Sequence, residues 1–576
     1  LTRLVGTMML ADPHEGRSPE PQERRRRAPI TMLPVPRLIR PLPRSLTRPL
    51  SFVALAAWVA VMGVMIDRSY LQASPGHLAT DLARYGTTAP WRGVYYRGEK
   101  IGFTVSQVTP TDTGFELQED GRLQFSLLGA TNAAVLRTTA NVDRAFALES
   151  FEFSLDPGTG PMTISGRLDG LRLSLDIQSA AGIRHEQRDL QEPPALMLSF
   201  GRRLASEGLV AGTRKEWLIF DPATLQNSPV VLEIGEREVV VAGGRPLPAF
   251  NVKMTFSGVS TTAWVTDTGE IVREESAMGL ITVRETQEQA TALAVSNRML
   301  TDMLEASAIV PVQGRNQRID DPRGVKQLRL RLEGADLSGF ALDGLGQSFD
   351  GLDVELIDPR TFEAGPLDPE AAGYLAAEPF IESDAPEIRA EAERMVAGVT
   401  GTRARAVRLT REVNALLEKR PTVSLPSALE VLRTRVGDCN EHTVLYVALA
   451  RSIGIPARIN AGLVYVRGAF YYHAWPEVYI DEGRGRGLWL PVDPTFNQFP
   501  ADTTHLRLAR GGLDKQTAIL PLVGRLRISV VDVTIDPDVT PILVGRQDAD
   551  VTPLSISIPQ RQACGCWAAP CTDGRR

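Results

Sequence analysis

Residues 437–443 read GDCNEHT, and apolar residues then recur at helical spacing until Gly454 and Pro456. This pattern predicts a helix that begins near Cys439, with Asp438 as its amino-terminal cap. Cys439 then lies in the first helical turn, where backbone N–H groups and the helix dipole stabilise a thiolate and lower the pKa of the thiol. The stretch therefore predicts a nucleophilic cysteine.

Two strands are predicted downstream of this helix. Residues 471–480 read YYHAWPEVYI and residues 488–495 read LWLPVDPT, with a Gly/Arg stretch between them. The alternation predicts an antiparallel hairpin whose first strand starts at His473 and whose second strand ends at Asp493. The Gly/Arg stretch leads into a strand, so it is a hairpin tip and not a phosphate loop. Hairpin geometry would place His473 beside Asp493, which would fix the tautomer and leave the other ring nitrogen facing Cys439.

The three elements resemble the transglutaminase-like superfamily, a branch of the papain-like cysteine enzymes. Its pattern is a helix-starting G-x-C, a strand-starting H-A-W and a strand-ending D-P-T, and residues 385–500 contain all three in order. The similarity is closer to bacterial transglutaminase-like proteins than to animal transglutaminases. It implies that Cys439 is the nucleophile, His473 the general base and acid, and Asp493 the orienting carboxylate. The implied fold is α+β, with the cysteine-bearing helix packed on an antiparallel sheet.

The sequence departs from animal transglutaminases in two ways. No Trp lies between Trp264 and Trp475, so the backbone N–H of Cys439 is the one oxyanion donor that we assign. No acidic loop of the EF-hand type is present, so calcium activation is not implied, and we expect neither a cofactor nor a metal. His442 could join Cys439, His473 and Asp493 in a zinc site. A histidine packed beside the nucleophile is the favoured interpretation.

Residues 91–300 alternate between apolar and polar with a period of two, which predicts an antiparallel β domain that is structural or holds a ligand. One helix is expected near residues 195–207. Residues 301–384 are interpreted as a small β-containing connecting region, and residues 385–512 as the catalytic domain. Residues 513–552 are predicted to form a terminal strand region, and residues 553–576 a disordered tail.

Composition limits the class of protein. The chain has 576 residues, 43% of them hydrophobic, with a net charge of −6. This excludes a wholly disordered or collagenous chain, and the charge argues against nucleic-acid binding. Of the four Cys, three (Cys564, Cys566 and Cys571) lie near the end, so no disulfide framework is expected.

The amino-terminal segment predicts a membrane anchor. Residues 1–49 contain ten Arg and four acids, a net charge of +6, and are predicted to be disordered. Residues 50–66 (LSFVALAAWVAVMGVMI) carry no charge, which favours a membrane span over a buried core helix. The span is long for the core of a cleaved signal peptide and no small-x-small cleavage site follows it closely, so an uncleaved signal anchor is the favoured alternative. Residues 67–90 would be a linker. We therefore expect a single-pass protein of the bacterial inner membrane with most of its chain in the periplasm.

The sequence predicts a membrane-anchored, exported cysteine enzyme. It would hydrolyse or transfer an acyl group at an amide or peptide bond through a thioester. The expected substrate is a protein, a peptide or an amide of the cell envelope. The alternative is a non-catalytic transglutaminase-like scaffold or binding protein at the cell envelope.

Overall fold

The computed structural model describes Leu82 and residues 84–535, apart from short gaps. The predicted arm 1–49, the predicted anchor 50–66, most of the predicted linker and the predicted tail 553–576 lie outside the described residues. None of the helices that the structure describes is both long enough and apolar enough to cross a bilayer. The gaps are residues 128–129, 159–160, 180–181, 224, 257–258, 277–278, 293–301, 315–316, 341, 421–426 and 512–518.

The first part of the described chain is one long antiparallel sheet of fourteen strands, as the period-two alternation predicts. Strand β1 lies between β2 and β14, so two meanders meet at β1, and the order is β8-β7-β6-β5-β4-β3-β2-β1-β14-β13-β12-β11-β10-β9. The strands are β1 Trp91–Tyr96, β2 Glu99–Pro110, β3 Gly114–Leu127, β4 Ala130–Asp143, β5 Leu148–Asp156, β6 Met162–Asp169, β7 Arg172–Ser179, β8 Gly182–Asp189, β9 Arg214–Asp221, β10 Gln226–Ala242, β11 Arg245–Phe256, β12 Val259–Val265, β13 Ile271–Ser276 and β14 Leu280–Glu285.

The long sheet curls so that distant strands share a core. Phe151 of β5 contacts Phe220 of β9 with ring centroids 5.4 Å apart, although these strands are far apart in the sheet order. Helix α1 (Phe200–Ser206) covers a second apolar cluster with Phe200 and Leu204, which are both fully buried. Burial of this apolar surface is the main stabilising contribution.

The second part of the described chain contains five α-helices, two sheets and a short pair of parallel strands. The central sheet has the order β18-β23-β22-β21-β24, and the outer sheet has the order β16-β17-β15-β25. Helix α2 (Gln287–Thr291) closes the long sheet and belongs to the first part. The five helices of the second part are α3 Met303–Ser307, α4 Pro386–Met395, α5 Thr402–Leu416, α6 Ala428–Thr434 and α7 Cys439–Ser452. The strands are β15 Val325–Glu333, β16 Gln347–Phe349, β17 Asp353–Ile357, β18 Gly365–Pro366, β19 Glu418–Lys419, β20 Val436–Gly437, β21 Ala457–Val466, β22 Ala469–Gly483, β23 Arg486–Pro491, β24 His505–Arg510 and β25 Arg527–Ile535.

The central sheet is covered on both faces. Helices α4 to α7 pack on Val478 and Leu490 in one apolar core, while the outer sheet packs on Leu463 and Leu506 in another. Every side chain of α7 from Glu441 to Ser452 is buried. Helix α7 is therefore the innermost helix of its layer, and its amino terminus has a fixed position relative to the sheet.

The outer sheet joins two regions that the sequence analysis treats separately. Strand β15 comes from the predicted connecting region and β25 from the predicted terminal strand region, and they pair antiparallel with Leu330 opposite Val530. The core of the predicted catalytic domain is thus completed by chain on both sides of it in sequence.

The strands that carry the candidate site differ from the sequence prediction in their bounds. Strand β22 begins at Ala469, four residues before the predicted start at His473, because it pairs with β21. Arg467 and Gly468, with φ of 49° and 94°, form the tight turn of that hairpin. Strand β23 ends at Pro491, so Asp493 lies two residues beyond its end.

Candidate active site

Cys439 is the first residue of α7, and a capping box fixes the helix start there. The Asp438 carboxylate accepts a hydrogen bond from the Asn440 N–H at 2.9 Å, and the Glu441 carboxylate accepts one from the Asp438 N–H at 2.8 Å. Cys439 retains some accessible surface. Cys439 therefore lies at a fixed helix amino terminus and is partly exposed as a residue.

Helix α7 docks on β22 at Ala474, the residue after His473. Thr443 Oγ1 donates to the Ala474 carbonyl at 3.1 Å, and the Ala474 N–H donates to the sulfur of Cys439. Thr443 lies one helical turn after Cys439. These two contacts bring the sulfur to the segment of β22 that carries His473.

His473 contacts Asp493 through one ring nitrogen. Its Nε2 lies 2.8 Å from Asp493 Oδ2, so Nε2 carries the proton in the neutral ring and Nδ1 is the nitrogen left to accept one. The ring is stacked between Trp475 and Phe496, with centroid distances of 6.1 Å and 5.1 Å. The structure therefore joins His473 to Asp493, and the neighbour of His473 in the chain, Ala474, contacts Cys439.

Asp493 is completely buried, and both of its oxygens are hydrogen-bonded. Oδ1 accepts from the Thr495 and Phe496 N–H groups at 2.7 and 3.1 Å, and Oδ2 accepts from His473 and His505. Burial alone would raise the pKa of Asp493, but the two histidines hold its pKa well below the usual range. The carboxylate is therefore ionised throughout the neutral pH range.

Asn414 of α5 holds the loop that carries Asp493. Its side-chain amide donates to the carbonyls of Pro494 at 2.7 Å and Thr495 at 3.1 Å. The orienting carboxylate is thus positioned by a helix as well as by its own strand.

His505, the first residue of β24, is a site residue that the sequence analysis missed. Its Nε2 lies 3.1 Å from Asp493 Oδ2, and its Nδ1 lies 3.0 Å from the Asp502 carbonyl and 3.2 Å from Asp502 Oδ1. Burial by itself would lower the pKa of His505, but Asp502 and Asp493 raise it to about 10. The signal in the sequence is a histidine three residues after an aspartate, at the start of a strand (HLRLAR) in which Leu506 and Leu508 alternate with polar residues.

The charges around Cys439 differ from the expectation of a low thiol pKa. Burial raises the pKa of Cys439 well above its ordinary value, and the negative charge of Asp438 raises it further. The hydrogen bond from Ala474 acts in the opposite direction. Burial, and after it the capping carboxylate of Asp438, therefore oppose a thiolate at this helix start. A thiolate at this position needs a cation beside it, and a protonated His473 would supply one.

His442 packs beside the nucleophile, as its favoured interpretation predicts. It is fully buried, its Nδ1 donates to the Asp438 carbonyl at 2.6 Å, and burial lowers its pKa. The zinc set that the sequence analysis considered is not assembled among the described residues. Their one group of potential metal ligands within 4.8 Å is instead His473, Asp493 and His505.

Lys419 lies near the same site through a backbone contact. Strand β19 pairs parallel with β20, which places Lys419 beside Gly437, two residues before Cys439. Burial lowers the pKa of Lys419, while the charge of Asp493 acts to raise it. Lys419 is therefore a positive charge next to the candidate triad that the sequence analysis did not identify.

Part of the chain matches a known protein family. Residues 389–494 match the family model of the transglutaminase-like superfamily. No curated protein matches the chain by sequence.

Solved structures show distant similarity to this chain over part of its length. A candidate cysteine protease from Cytophaga hutchinsonii is 17% identical, with a TM-score of 0.24, and the match covers 37% of this chain and 86% of that one. A beta-barrel-like protein with a domain of unknown function from Brucella abortus is 10% identical, with a TM-score of 0.28, over 34% of this chain and 96% of that one. A candidate protease from Parabacteroides distasonis is 12% identical, with a TM-score of 0.17, over 60% and 64%.

The family model spans Cys439, His473 and Asp493. The resemblance to the transglutaminase-like superfamily that the sequence predicts is therefore confirmed for residues 389–494.

Proposed function

We propose that this protein is a cysteine enzyme of the transglutaminase-like type that acts on an amide or peptide bond. The observation that carries the proposal is the contact of His473 Nε2 with Asp493 Oδ2. The next residue of the same strand, Ala474, donates its N–H to the Cys439 sulfur. This is the order nucleophile, base, orienting carboxylate that acyl transfer by a thiolate requires.

The proposed reaction begins when the thiol proton of Cys439 moves to His473 Nδ1. The sulfur attacks the carbonyl carbon of the substrate, and the backbone N–H of Cys439 donates to the oxygen that becomes negative. His473 then gives its proton to the leaving amine, the C–N bond breaks, and a thioester remains. Water or a second amine gives a proton to His473 and attacks the thioester, and the C–S bond breaks to release the Cys439 thiolate. The proton then returns from His473 to the sulfur, which restores the starting thiol.

We also propose that the catalytic domain is exported and anchored, because a basic arm precedes the uncharged segment 50–66. The substrate would then be a peptide, a protein or an amide of the cell envelope. Alkaline phosphatase fused after Ser74 tests this, since the enzyme becomes active only outside the cytoplasm. Activity in the membrane fraction is expected, and an inactive fusion that remains in the soluble fraction would contradict the proposal.

An acylation assay tests the chemistry without a known substrate. The full chain, with Cys564, Cys566 and Cys571 changed to Ser, is incubated with p-nitrophenyl acetate at neutral pH, and its intact mass is followed. We expect one acetyl group to appear on Cys439 and then to be lost with time by hydrolysis. If the enzyme transfers acyl groups, an added amine should make this loss faster.

Two variants control this assay. Cys439→Ala should acquire no acetyl group, and His473→Ala should be acetylated at least about 100-fold more slowly, which is the usual loss when a general base is removed. Equal acetylation of the parent chain and His473→Ala would mean that the thiol acts without a base, and the proposal would be wrong.

A second candidate function is a non-catalytic transglutaminase-like scaffold. The observation that favours it is the raised pKa of Cys439, because an unpaired thiol with such a pKa is a poor nucleophile at neutral pH. Under this alternative, the parent chain and His473→Ala would be equally inert in the acylation assay.

A further inference from the structure

Two histidines share a single carboxylate oxygen in the candidate site. Asp493 Oδ2 lies 2.8 Å from His473 Nε2 and 3.1 Å from His505 Nε2, and both rings are buried. The mechanism proposed above uses His473 and leaves His505 without a role.

The partners of His505 determine its protonation. Its Nε2 faces a carboxylate oxygen of Asp493, and its Nδ1 faces the carbonyl and carboxylate oxygens of Asp502. All of these oxygens accept hydrogen bonds and none can donate one, because both carboxyl groups are held ionised by their surroundings. Both ring nitrogens must therefore carry hydrogen, and His505 is an imidazolium cation.

Asp502 is itself held firmly. Its carboxylate accepts from the Gln498 amide at 2.8 Å and from the Thr504 hydroxyl at 2.6 Å, and its own N–H donates to Gln498 at 2.8 Å. His505 also packs edge-on against Trp475, with centroids 5.1 Å apart. The imidazolium is thus fixed between two anions.

Other charged groups also face His505. A cavity of about 30 Å³ is lined by His505 and Asp502 together with Glu477 of β22 and Arg507 of β24. Glu477 is paired with Arg458 and Arg510, so its charge is compensated locally. Lys419 interacts electrostatically with Asp493. Asp502 and Asp493 therefore dominate the field at His505.

We propose that His505 is a positioning residue, which as a cation at neutral pH fixes the Asp493 carboxylate and draws part of its negative charge away from His473. This inference rests on the proposed function, since it assigns a role beside the same Cys–His pair. The positive charge of His505, with its ring centroid 5.9 Å from that of His473, opposes a second positive charge there. His473 therefore releases its proton to a leaving amine more readily than it would beside an uncompensated carboxylate.

The test follows the alkylation of Cys439 by iodoacetate between pH 4 and 11, in the chain with Cys564, Cys566 and Cys571 changed to Ser. This anionic reagent reacts best with a thiolate beside an imidazolium, so its rate falls when His473 loses its proton. In His505→Gln, which keeps a donor for Asp493 but no charge, we expect this fall about one pH unit higher.

Two further variants complete the test. Asp502→Asn removes the anion that holds the proton on His505, so the alkaline fall in the alkylation rate should again occur at a higher pH. This variant replaces His505→Gln in the test if His505→Gln does not fold. His185→Gln alters an exposed His–Asp pair on the long sheet, where His185 lies 2.6 Å from Asp176, and it should change nothing. Nitrogen-15 NMR of the full chain should show both nitrogens of His505 protonated up to about pH 9.

The outcomes separate the inference from the proposed function. A bell-shaped profile in the parent chain that neither variant moves overturns the role of His505 alone. An ordinary alkaline thiol profile in the parent chain overturns the proposed function and this role with it. A stoichiometric zinc ion that His505→Gln removes would make His473, Asp493 and His505 a metal site, and would also overturn the inference.

Discussion

Thr443 and Ala474 join the helix of the candidate nucleophile to the strand of its base. The Thr443 hydroxyl donates to the Ala474 carbonyl at 3.1 Å, and both residues are buried. Because Cys439 lies one turn before Thr443 and His473 one residue before Ala474, this hydrogen bond sets the spacing between the sulfur and the imidazole.

Removal of this hydrogen bond should affect both stability and reactivity. We expect Thr443→Val to lower the free energy of unfolding by about 1 to 3 kcal/mol, because the Ala474 carbonyl is left buried without the hydroxyl. The rate of Cys439 acetylation should fall as well. Thr443→Ser keeps the hydroxyl and should therefore keep most of the stability and most of the acetylation rate. Urea denaturation and the acetylation assay measure the two effects. A Thr443→Val variant as stable and as reactive as the parent would contradict this role.

Asp438 both caps α7 and raises the pKa of the thiol. Asn is an equally good capping residue without the charge, so Asp438→Asn should keep the helix and lower the pKa of Cys439. The effect is measured in the His473→Ala background, by the pH at which iodoacetamide alkylation reaches half its maximum rate. We expect that pH to decrease. An unchanged value would mean that the Asp438 charge does not act on the sulfur.

The fold and the candidate site could be predicted from local patterns to different extents. The helix start at Cys439 has a cap and a regular apolar spacing, and the long sheet has strict alternation, so both are visible in the sequence. Strand β21 is buried almost throughout, and its second half, Leu463 to Val466, is an apolar run that shows no alternation. This explains why the sequence analysis missed β21 and placed the start of β22 too late.

Contacts between distant segments were not predictable in this way. The pairing of β15 with β25 joins residues about 200 positions apart, and no turn or spacing signals it. His505 is likewise brought to Asp493 by the path of the chain into β24 and not by a motif. The raised pKa of Cys439 arises from burial and from carboxylates that a helix-dipole argument does not include.

Glu477 is the anion of a buried cluster beneath the site. Arg458 donates to it at 2.7 Å while lying over the Trp489 ring at 3.8 Å, and Arg510 approaches it at 3.3 Å. Burial would raise the pKa of Glu477, but the charges of Arg510 and Arg458 hold it below its usual value.

We expect Glu477→Gln to lower the free energy of unfolding by about 3 to 5 kcal/mol, since it leaves buried arginines without their anion. The matched control is Glu482→Gln, which breaks an exposed pair with Arg403 and should cost at most about 1 kcal/mol. Urea denaturation measures both variants. An equal decrease in the free energy of unfolding would show that the buried cluster stabilises the fold no more than the exposed pair does.

The charges of His505 and the two aspartates also predict how stability depends on pH. The pKa of His505 is raised from 6.5 to about 10, so its contribution is complete below pH 6.5 and is lost as the pH rises towards 10. The pKa values of Asp493 and Asp502 are lowered, so their contribution is present above about pH 4 and is lost in acid.

Stability should therefore fall by a few kcal/mol between pH 6.5 and 10 in the parent chain, and by less in His505→Gln. Urea denaturation at the two pH values measures the difference. Identical alkaline losses in the two proteins would contradict the assignment of a cation at His505.

The central claim is that Cys439 and His473 form a thiolate–imidazolium pair, and the alkylation rate of Cys439 by iodoacetamide as a function of pH tests it most directly. The parent chain and His473→Ala are compared, both with Cys564, Cys566 and Cys571 changed to Ser. We expect the parent to react at a nearly constant rate from below neutral pH, and His473→Ala to react only above about pH 9, because burial and Asp438 raise the pKa of the unpaired thiol. The same alkaline profile in both proteins would contradict the claim.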